Sequence, residues 1–444
     1  MAKILFVQNY NDELIGIASI ASYINQKHQV GVIFGSHQNI IEKYKSFKPD
    51  VVGICALTKD HSWVLSLAAR IKSIGKNSII LLGGPHPTFY PEIIADKYVD
   101  AICVGEGEKP VLNLLNRIED DKEYIDIPSI WIKKDNKLYK NGNQPLLNSE
   151  EIPIRDVTLY KSFSNISESE ILTVMSSRGC PFNCYFCCEY QLQKMYGANN
   201  FRLRKVEDVI KEIELLRKNR DIQIIKFQDE VFGINKKWLQ DFVRQYKKRI
   251  NLPFYSLLKC NYISENIIEQ LIEAGCFRVG IGIESGDEYI RNKVLNKNLS
   301  DATIKKGVEI LKKKKISFHT FNMFGLPQEN FKLALKTVDL NVRLKPDIVW
   351  SAIFQPYPGT KFFSDKVRHD ILSPRFNRFK VSHSYSKDSV KIYRLQKLFM
   401  LTVKIPIVKC ILPVLARLPL GWLYDRLSQL MWSFFYDREL KKGI

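Results

Sequence analysis

No run of about 18 uninterrupted apolar residues occurs in this 444-residue chain, which excludes a helix that crosses a bilayer. The N-terminus lacks the long apolar stretch and cleavage site of a secretory leader, since Met1-Ala2-Lys3-Ile4-Leu5-Phe6-Val7 goes straight into a strand. Cysteine is too sparse for a disulfide framework: nine residues, three of them clustered, point to a reducing compartment and to metal chemistry. These absences predict a cytoplasmic protein. Acidic residues are short as well, 47 against 67 Lys and Arg, and the net charge of +20 implies an anionic contact or solubility by repulsion. From Lys366 to Ile444, sixteen Lys and Arg face five Asp and Glu, so +11 of that charge lies in the tail. What is present is ordinary for a folded chain, 45% hydrophobic and 26% charged, and too long for one core; two domains and an appendage are expected.

The chain is organised around Ser176-Ser177-Arg178-Gly179-Cys180-Pro181-Phe182-Asn183-Cys184-Tyr185-Phe186-Cys187-Cys188. Three thiols in C-x3-C-x2-C spacing follow an apolar run, Ile171 to Met175, that reads as a strand, so they sit on a loop at a strand's end. Close thiolates suit a soft metal. A structural zinc site would complete itself with a fourth nearby Cys or His. Only Cys188 is available, and its adjacency to Cys187 makes it hard for both to reach one ion. A 4Fe-4S cluster normally takes four cysteines, so three leave one iron open to a substrate or cofactor. Buried or zinc-binding cysteines are the competing reading.

Before this loop, residues 1–120 alternate strand-length apolar runs (Ile4-Val7, Val30-Phe34, Val51-Ala56, Ile79-Leu82, Ala101-Val104) with helical patterns at Ile15 to Ile24, Trp63 to Ile74 and Val111 to Ile118. That predicts an α/β fold with a doubly wound parallel sheet, whose ligands bind at the carboxyl ends of the strands. Two such ends are glycine-rich, Gly83-Gly84-Pro85-His86 and Gly105-Glu106-Gly107-Glu108, where a backbone can approach a large ligand or simply turn tightly. A dinucleotide site is a poorer reading, because Gly105-x-Gly107 runs into Pro110 rather than a third glycine. His61 and His86 are each read as structural, without a role on a metal.

Residues 121–165 read as a hairpin and linker, with Ile127 to Ile132 and Lys137 to Tyr139 flanking a polar turn. Residues 166–365 open a second alternating series, with later strands at Ile222-Phe227, Phe254-Lys259, Arg278-Ile283, Ile316-Asn322 and Ile348-Phe354. Six parallel strands with crossover helices make a partial barrel, whose chemistry gathers at the strands' carboxyl ends. Those ends carry Gln228-Asp229-Glu230, Gly282-Ile283-Glu284-Ser285-Gly286, Gly325-Leu326-Pro327-Gln328-Glu329 and Pro356-Tyr357-Pro358-Gly359. Cys260 and Cys276 read as buried thiols without a role. Residues 366–444 form a basic, aromatic-rich helical tail, which either caps the barrel or lies on anionic lipid as an interfacial helix.

The cysteine loop resembles the cluster motif of radical S-adenosylmethionine enzymes, including Phe186 directly before the last ligand, and the four strand ends resemble that family's cofactor-contacting segments in order. The first domain resembles the cobalamin-binding domain that precedes many of these enzymes, although no Asp-x-His-x-x-Gly run, the source of a lower cobalt ligand in some cobalamin proteins, is present. The resemblance implies that Cys180, Cys184 and Cys187 hold a 4Fe-4S cluster whose open iron chelates S-adenosylmethionine. It implies that Phe186, Asp229, Glu230, Glu284, Ser285, Gly325 and Pro327 help seat that cofactor, and that Gly83, Gly84, Pro85, His86, Gly105, Glu106 and Gly107 line cobalamin. The implied activity is radical functionalisation of an unactivated carbon, foremost by methyl transfer, with cyclisation or rearrangement as the alternative. An electron donor such as a flavodoxin or ferredoxin is implied, together with a small-molecule substrate for which the tail suggests apolar or lipid-like character. Peripheral contact with the inner face of a membrane belongs to the same expectation. RNA modification is a weaker reading, for want of an RNA-binding module and of three cysteines in the first domain, so no nucleic-acid partner is expected. A non-catalytic iron–sulfur or corrinoid carrier would require the strand-end carboxylates to be idle.

Overall fold

The computed structural model describes all residues except 76, 156–157, 198–199, 219, 374–387 and 441–444, and the side chains of 366 and 435–440. It forms two compact units: Met1–Ser169 with Gln191–Asp221 and Tyr357–Phe376, and Glu170–Tyr190 with Ile222–Pro356 and Asn377–Ile444. Part of the basic tail, 374–387 and 441–444, therefore lies outside the described residues.

The first unit is built on a seven-stranded sheet. β1 (Lys3–Gln8), β2 (Gln29–Phe34), β3 (Val51–Cys55), β4 (Ile79–Gly83) and β5 (Ala101–Cys103) are parallel, in the order β2-β1-β3-β4-β5. The hairpin strands β6 (Ile130–Lys134) and β7 (Lys137–Lys140) extend the sheet antiparallel beyond β5. Alternation along β1 sends Ile4 and Phe6 to one face, with α1 (Ile15–Ile24) and α4 (Glu108–Glu119), and Leu5 and Val7 to the other, with α2 (His37–Phe47) and α3 (His61–Ile74). Both faces are covered, which is why the central strands read as unbroken apolar runs. The segment that reads as a polar linker is packed: Tyr160 donates to Gln8 Oε1 at 2.8 Å, and buried Arg155 bridges Glu13 at 2.7 Å and Glu212 at 2.9 Å. Glu212 lies on α5 (Val206–Arg217) and also takes Arg204 at 2.8 Å.

The second unit is a six-stranded, all-parallel, curled half-barrel in strict chain order: β8 (Ile171–Val174), β9 (Ile224–Phe227), β10 (Phe254–Leu258), β11 (Cys276–Glu284), β12 (Ser317–Phe324) and β13 (Ile348–Ile353). The crossover helices α6 (Lys236–Arg249), α7 (Glu265–Glu273), α8 (Asp301–Lys313) and α9 (Phe331–Leu344) each begin on an Asn or Ser, namely Asn235, Ser264, Ser300 and Asn330. In each the side chain accepts an N–H of the first turn, worth about 1 kcal/mol per helix. Phe227, Phe232, Phe242, Tyr246 and Phe254 fill the space between β9, β10 and α6, with Trp238 stacked on Phe242 at 5.2 Å. Cys260 and Cys276 are buried, as expected.

The described tail is a helical cap. α10 (Ser389–Lys404) buries Ile392, Leu395, Leu398, Phe399 and Val403 against Phe324, Val338, Val349 and Ile353, and α11 (Gly421–Leu440) closes over it with Tyr424. Among the described residues no helix is long and apolar enough to cross a membrane.

Candidate functional site

The thiols sit where β8 ends, on a loop braced from several sides. Gly179 turns with φ 74°, a conformation suited to glycine, immediately before Cys180. The Cys180 N–H donates to buried Glu189 Oε2 at 3.1 Å. Tyr185 N–H donates to Leu295 O at 2.9 Å, and the Asn296 amide reaches Asn183 Oδ1 at 2.9 Å. Asp229, wholly buried at the end of β9, accepts from Ser176 N at 3.1 Å and from the hydroxyls of Ser176 at 2.8 Å and Ser177 at 2.5 Å. Burial pushes its carboxyl pKa up, against the pull of those serine hydrogen bonds. Asp229 is thus committed to the loop, whereas Glu230 beside it is reached by solvent. The surroundings of Glu230 are still close enough that desolvation, with Asp229 adding, raises its carboxyl pKa.

Cys180 is buried and Cys184, Cys187 and Cys188 are half-buried, all free. Burial pushes the Cys180 thiol up to about 12, and it raises Cys184 against the opposing field of Lys297 and Lys259. A hydrogen bond to Cys188, then burial, raises Cys187. Two cations therefore flank the loop. Lys259, at the end of β10, lies 3.4 Å over the Phe182 ring, and burial lowers its pKa. Lys297 lies 5.5 Å from the Phe186 ring and pairs with Glu284 at 2.9 Å; burial opposes its charge, but Glu284, Cys184 and Cys260 hold its pKa up. Positive charge beside three thiols suits a group that needs them as thiolates. Among the described residues no three His, Cys, Asp or Glu side chains converge as on a single ion.

β11 ends in a register shift between Gly282 and Glu284, and Glu284 has φ 68°. A Cβ on Gly282 would lie 2.4 Å from Glu284 Oε1 and 2.9 Å from Lys297 Nζ, so glycine makes room for that ion pair. Ser285 is fully buried and turned inward: its hydroxyl accepts from Asp287 N at 3.2 Å and its carbonyl from Arg291 at 2.7 Å. After β12, Gly325 (φ 76°) and Leu326 donate their N–H groups to Glu329 Oε2 at 2.6 and 3.3 Å, and Pro327 is buried between them and Glu329. Glu329 is 2% exposed and its Oε1 has no hydrogen-bond partner. Burial pushes its carboxyl pKa up to about 8.

In the first unit the two glycine-rich strand ends differ. A Cβ on Gly83 would meet nothing within 4 Å, while one on Gly84 (φ 92°) would stand 3.2 Å from Ala56 O and Cys55 Sγ. One on Gly105 (φ 86°) would fall 1.9 Å from the Tyr196 hydroxyl, and one on Gly107 2.6 Å from Ile20. Pro85 opens the short helix Pro85–Phe89. His86 is buried, holds Thr58 Oγ1 at 3.1 Å and stacks on Tyr90; burial, then His61, lowers its pKa to about 3, so it stays neutral. His61 is held by Thr58 O and Leu372 O, both at 2.8 Å. Glu106 is taken by Arg202 at 2.7 Å and by Leu147 N at 3.0 Å. The open space beside Gly83 and the left-handed turns at Gly84 and Gly105 suit a large ligand lying on the strand ends. Of the predicted polar residues there, His86 and Glu106 already have protein partners. Tyr196 and Lys259 carry no role in the sequence reading, and Lys297 figures there only as the end of the run Asn292-Lys293-Val294-Leu295-Asn296-Lys297, without a role of its own. The only signal for the lysines is a cation at a barrel strand's carboxyl end and a cation in the segment after β11.

Residues 174–340 match the Radical SAM superfamily and residues 11–115 the B12 binding domain. The chain is a radical SAM protein with a B12-binding domain. Its cofactors are a 4Fe-4S cluster, S-adenosylmethionine and cobalamin, and as a radical SAM enzyme it works on a small-molecule substrate with an electron donor. It is 29% identical over 371 residues to an uncharacterised methyltransferase of Pyrococcus horikoshii, covering 81% of this chain and 79% of that one. It is 24% identical to an anaerobic magnesium-protoporphyrin IX monomethyl ester cyclase of Rubrivivax gelatinosus, over 82% of this chain and 70% of the relative. The fold matches the radical S-adenosylmethionine methyltransferase TsrM of Kitasatospora setae, solved with cobalamin and a [4Fe-4S] cluster, with a TM-score of 0.67 at 15% identity. That match covers 82% of this chain and 77% of that chain.

Proposed function

We propose that this protein is a cobalamin-dependent radical S-adenosylmethionine methyltransferase acting on an unactivated carbon. The observation that carries the reading is the pairing, in one chain, of a B12-binding sheet with a three-thiol loop at the end of a half-barrel's first strand. When bound, the cofactors supply reductive homolysis of a sulfonium and a transferable methyl group. In this proposal Cys180, Cys184 and Cys187 hold the cluster, and Lys259 and Lys297 offset the negative charge of their thiolates. Glu230 is the carboxylate free to take the amino group of S-adenosylmethionine, with Asp229 behind it holding the loop in place. Glu284, paired with Lys297, and the Gly325–Pro327 turn, held by Glu329, border the rest of that cofactor, with Phe186 against the loop and Ser285 bracing the turn after β11. Gly83 gives cobalamin an open stretch of backbone, Gly84 and Pro85 turn the chain beside it, Gly105 and Gly107 make room for the Tyr196 and Ile20 side chains at the neighbouring strand end, and His86 and Glu106 support it through their protein partners. The domains in this reading run 1–120, 121–165, 166–365 and 366–444, the setting is cytoplasmic, a flavodoxin or ferredoxin donates the electron, and the apolar tail supports an apolar or lipid-like substrate.

Anaerobic reconstitution with iron, sulfide and hydroxocobalamin, followed by reduction with S-adenosylmethionine labelled in its methyl deuteriums, tests this. The expected result is 5′-deoxyadenosine together with deuterium in the corrinoid fraction. Protein that retains zinc, or that carries a full cluster and yields neither product, refutes it. Ring closure is the second reading, favoured by the likeness to the Rubrivivax gelatinosus cyclase. It is preferred if 5′-deoxyadenosine forms while the label never leaves S-adenosylmethionine.

A further inference from the structure

We infer that the outer face of the helical cap docks on an anionic lipid bilayer. Between α10 and α11 the chain winds in near-continuous helical turns from Ile405 to Leu418, through Pro406–Cys410 and Leu412–Leu415. Its inner side is anchored. Leu412 and Ala416 are fully buried, Tyr424 donates to Leu415 O at 2.8 Å, and Arg394 donates to Arg417 O at 2.9 Å.

The opposite side is what asks for an occupant. Ile407, Ile411, Val414 and Leu418 follow one another at helical spacing and are 74%, 53%, 58% and 39% exposed. A surface segment normally turns polar residues outward; this one is apolar on both sides. α11 repeats the pattern: Tyr424 is buried and Leu427 and Met431 pack inward, while Trp422 (69%), Leu430 (60%) and Phe434 (59%) are exposed. Scattered exposed apolar residues need no explanation, but two stripes in one cap do.

Charge selects the occupant. From Ile405 to Tyr424 there is no Asp or Glu, and Asp425 is held by Lys397 at 3.0 Å; Arg417 within the segment and Arg426 beyond it are exposed cations, while Lys409 pairs with Asp339 at 2.8 Å and Lys404 turns inward to Pro346 O at 3.2 Å. Branched aliphatics and an exposed Trp beside cations are the composition that seats a segment in the headgroup region of anionic lipid. A second copy of this chain would bring the same basic face against its twin, and at a net charge of +20 that is repulsive. Docking is separate from the chemistry proposed above, since it is read without turnover.

Flotation of the full-length protein with vesicles of phosphatidylcholine alone, and with phosphatidylglycerol added, tests the inference. The expected result is flotation with the anionic vesicles, weakened by salt, and at least about tenfold weaker binding for Ile407→Ser/Val414→Ser. Arg417→Gln/Arg426→Gln should lose mainly the preference for anionic lipid. These side chains are exposed, so the variants should keep the wild-type circular dichroism and melting temperature. If the wild type stays at the bottom of the gradient with anionic vesicles, or floats no better than the Ile407→Ser/Val414→Ser variant, or is a dimer that the same variant dissociates, the inference is overturned. Loss of S-adenosylmethionine cleavage with flotation intact would count against the catalytic proposal alone.

Discussion

Replacing Glu329 by glutamine should stabilise the second unit increasingly as pH rises. The carboxyl is 2% exposed, and one oxygen serves the Gly325 and Leu326 N–H groups while the other has no partner. Desolvation outweighs those two donors and raises the pKa to about 8. The folded chain therefore binds the Glu329 proton more tightly than the unfolded chain does. For an acid raised in this way the stabilising contribution is complete below the unfolded value, near 4.3, and is lost as pH climbs to the folded value. The slope is about 1.4 kcal/mol per pH unit between the two, with a ceiling of roughly 5 kcal/mol once the buried carboxylate is forced to ionise. Glutamine keeps an oxygen for both N–H groups and never ionises, so the difference between variant and wild type should be near zero at about pH 5 and largest near about pH 9. Urea unfolding of the anaerobic, reduced, cluster-free protein at several pH values measures it, comparing midpoints because the two units need not unfold together. A difference that does not change with pH would show that Glu329 has the same proton affinity in the folded and unfolded chain. Glu329→Ala, which strands both N–H groups, should instead cost about 1–3 kcal/mol near about pH 5, a loss that shrinks and then reverses as pH rises and the wild-type carboxyl is forced to ionise.

Alanine at Cys180, Cys184 or Cys187 should abolish the iron content and the visible charge-transfer absorbance after reconstitution, while Cys188→Ala should retain both. Gly105→Ala combines a left-handed φ with a Cβ on the Tyr196 hydroxyl; it should destabilise the first unit by about 1–3 kcal/mol and weaken cobalamin retention on gel filtration, with partial recovery in Gly105→Ala/Tyr196→Phe. Arg155→Met removes the cation shared by Glu13 and Glu212, which keep Arg220 at 3.2 Å and Arg204 at 2.8 Å. It should cost about 1–3 kcal/mol by thermal unfolding, less than the loss expected of a fully stranded buried charge, and Arg155→Met/Arg204→Met, which leaves Glu212 without a cation, should cost more than the sum of the two single changes.

Much of this architecture is written in local pattern. Apolar runs bounded by Gly and Asn specify strands buried on both faces, Asn235, Ser264, Ser300 and Asn330 mark helix starts, and the C-x3-C-x2-C loop announces itself by spacing alone. Those signals are legible because each depends on residues within one or two turns of chain. The partners of single polar side chains are not. Sequence placed Asp229 and Glu230 side by side as equivalent acids, but packing gave one to the serine hydroxyls of the thiol loop and left the other exposed. Ser285, Glu106 and His86 read as ligand-facing, yet each already holds partners within the protein. Lys297 meets Glu284 across thirteen residues and Arg155 meets Glu13 across 142, contacts that no periodicity encodes. Nor could composition say that the tail's apolar residues divide between an inner side spent on the barrel and an outer side left bare; only the burial of Leu412 beneath an exposed Ile411 decides that. Spacing determines which groups reach a strand's end, whereas desolvation and competing hydrogen bonds, set by the assembled core, determine which of them remain free to do chemistry.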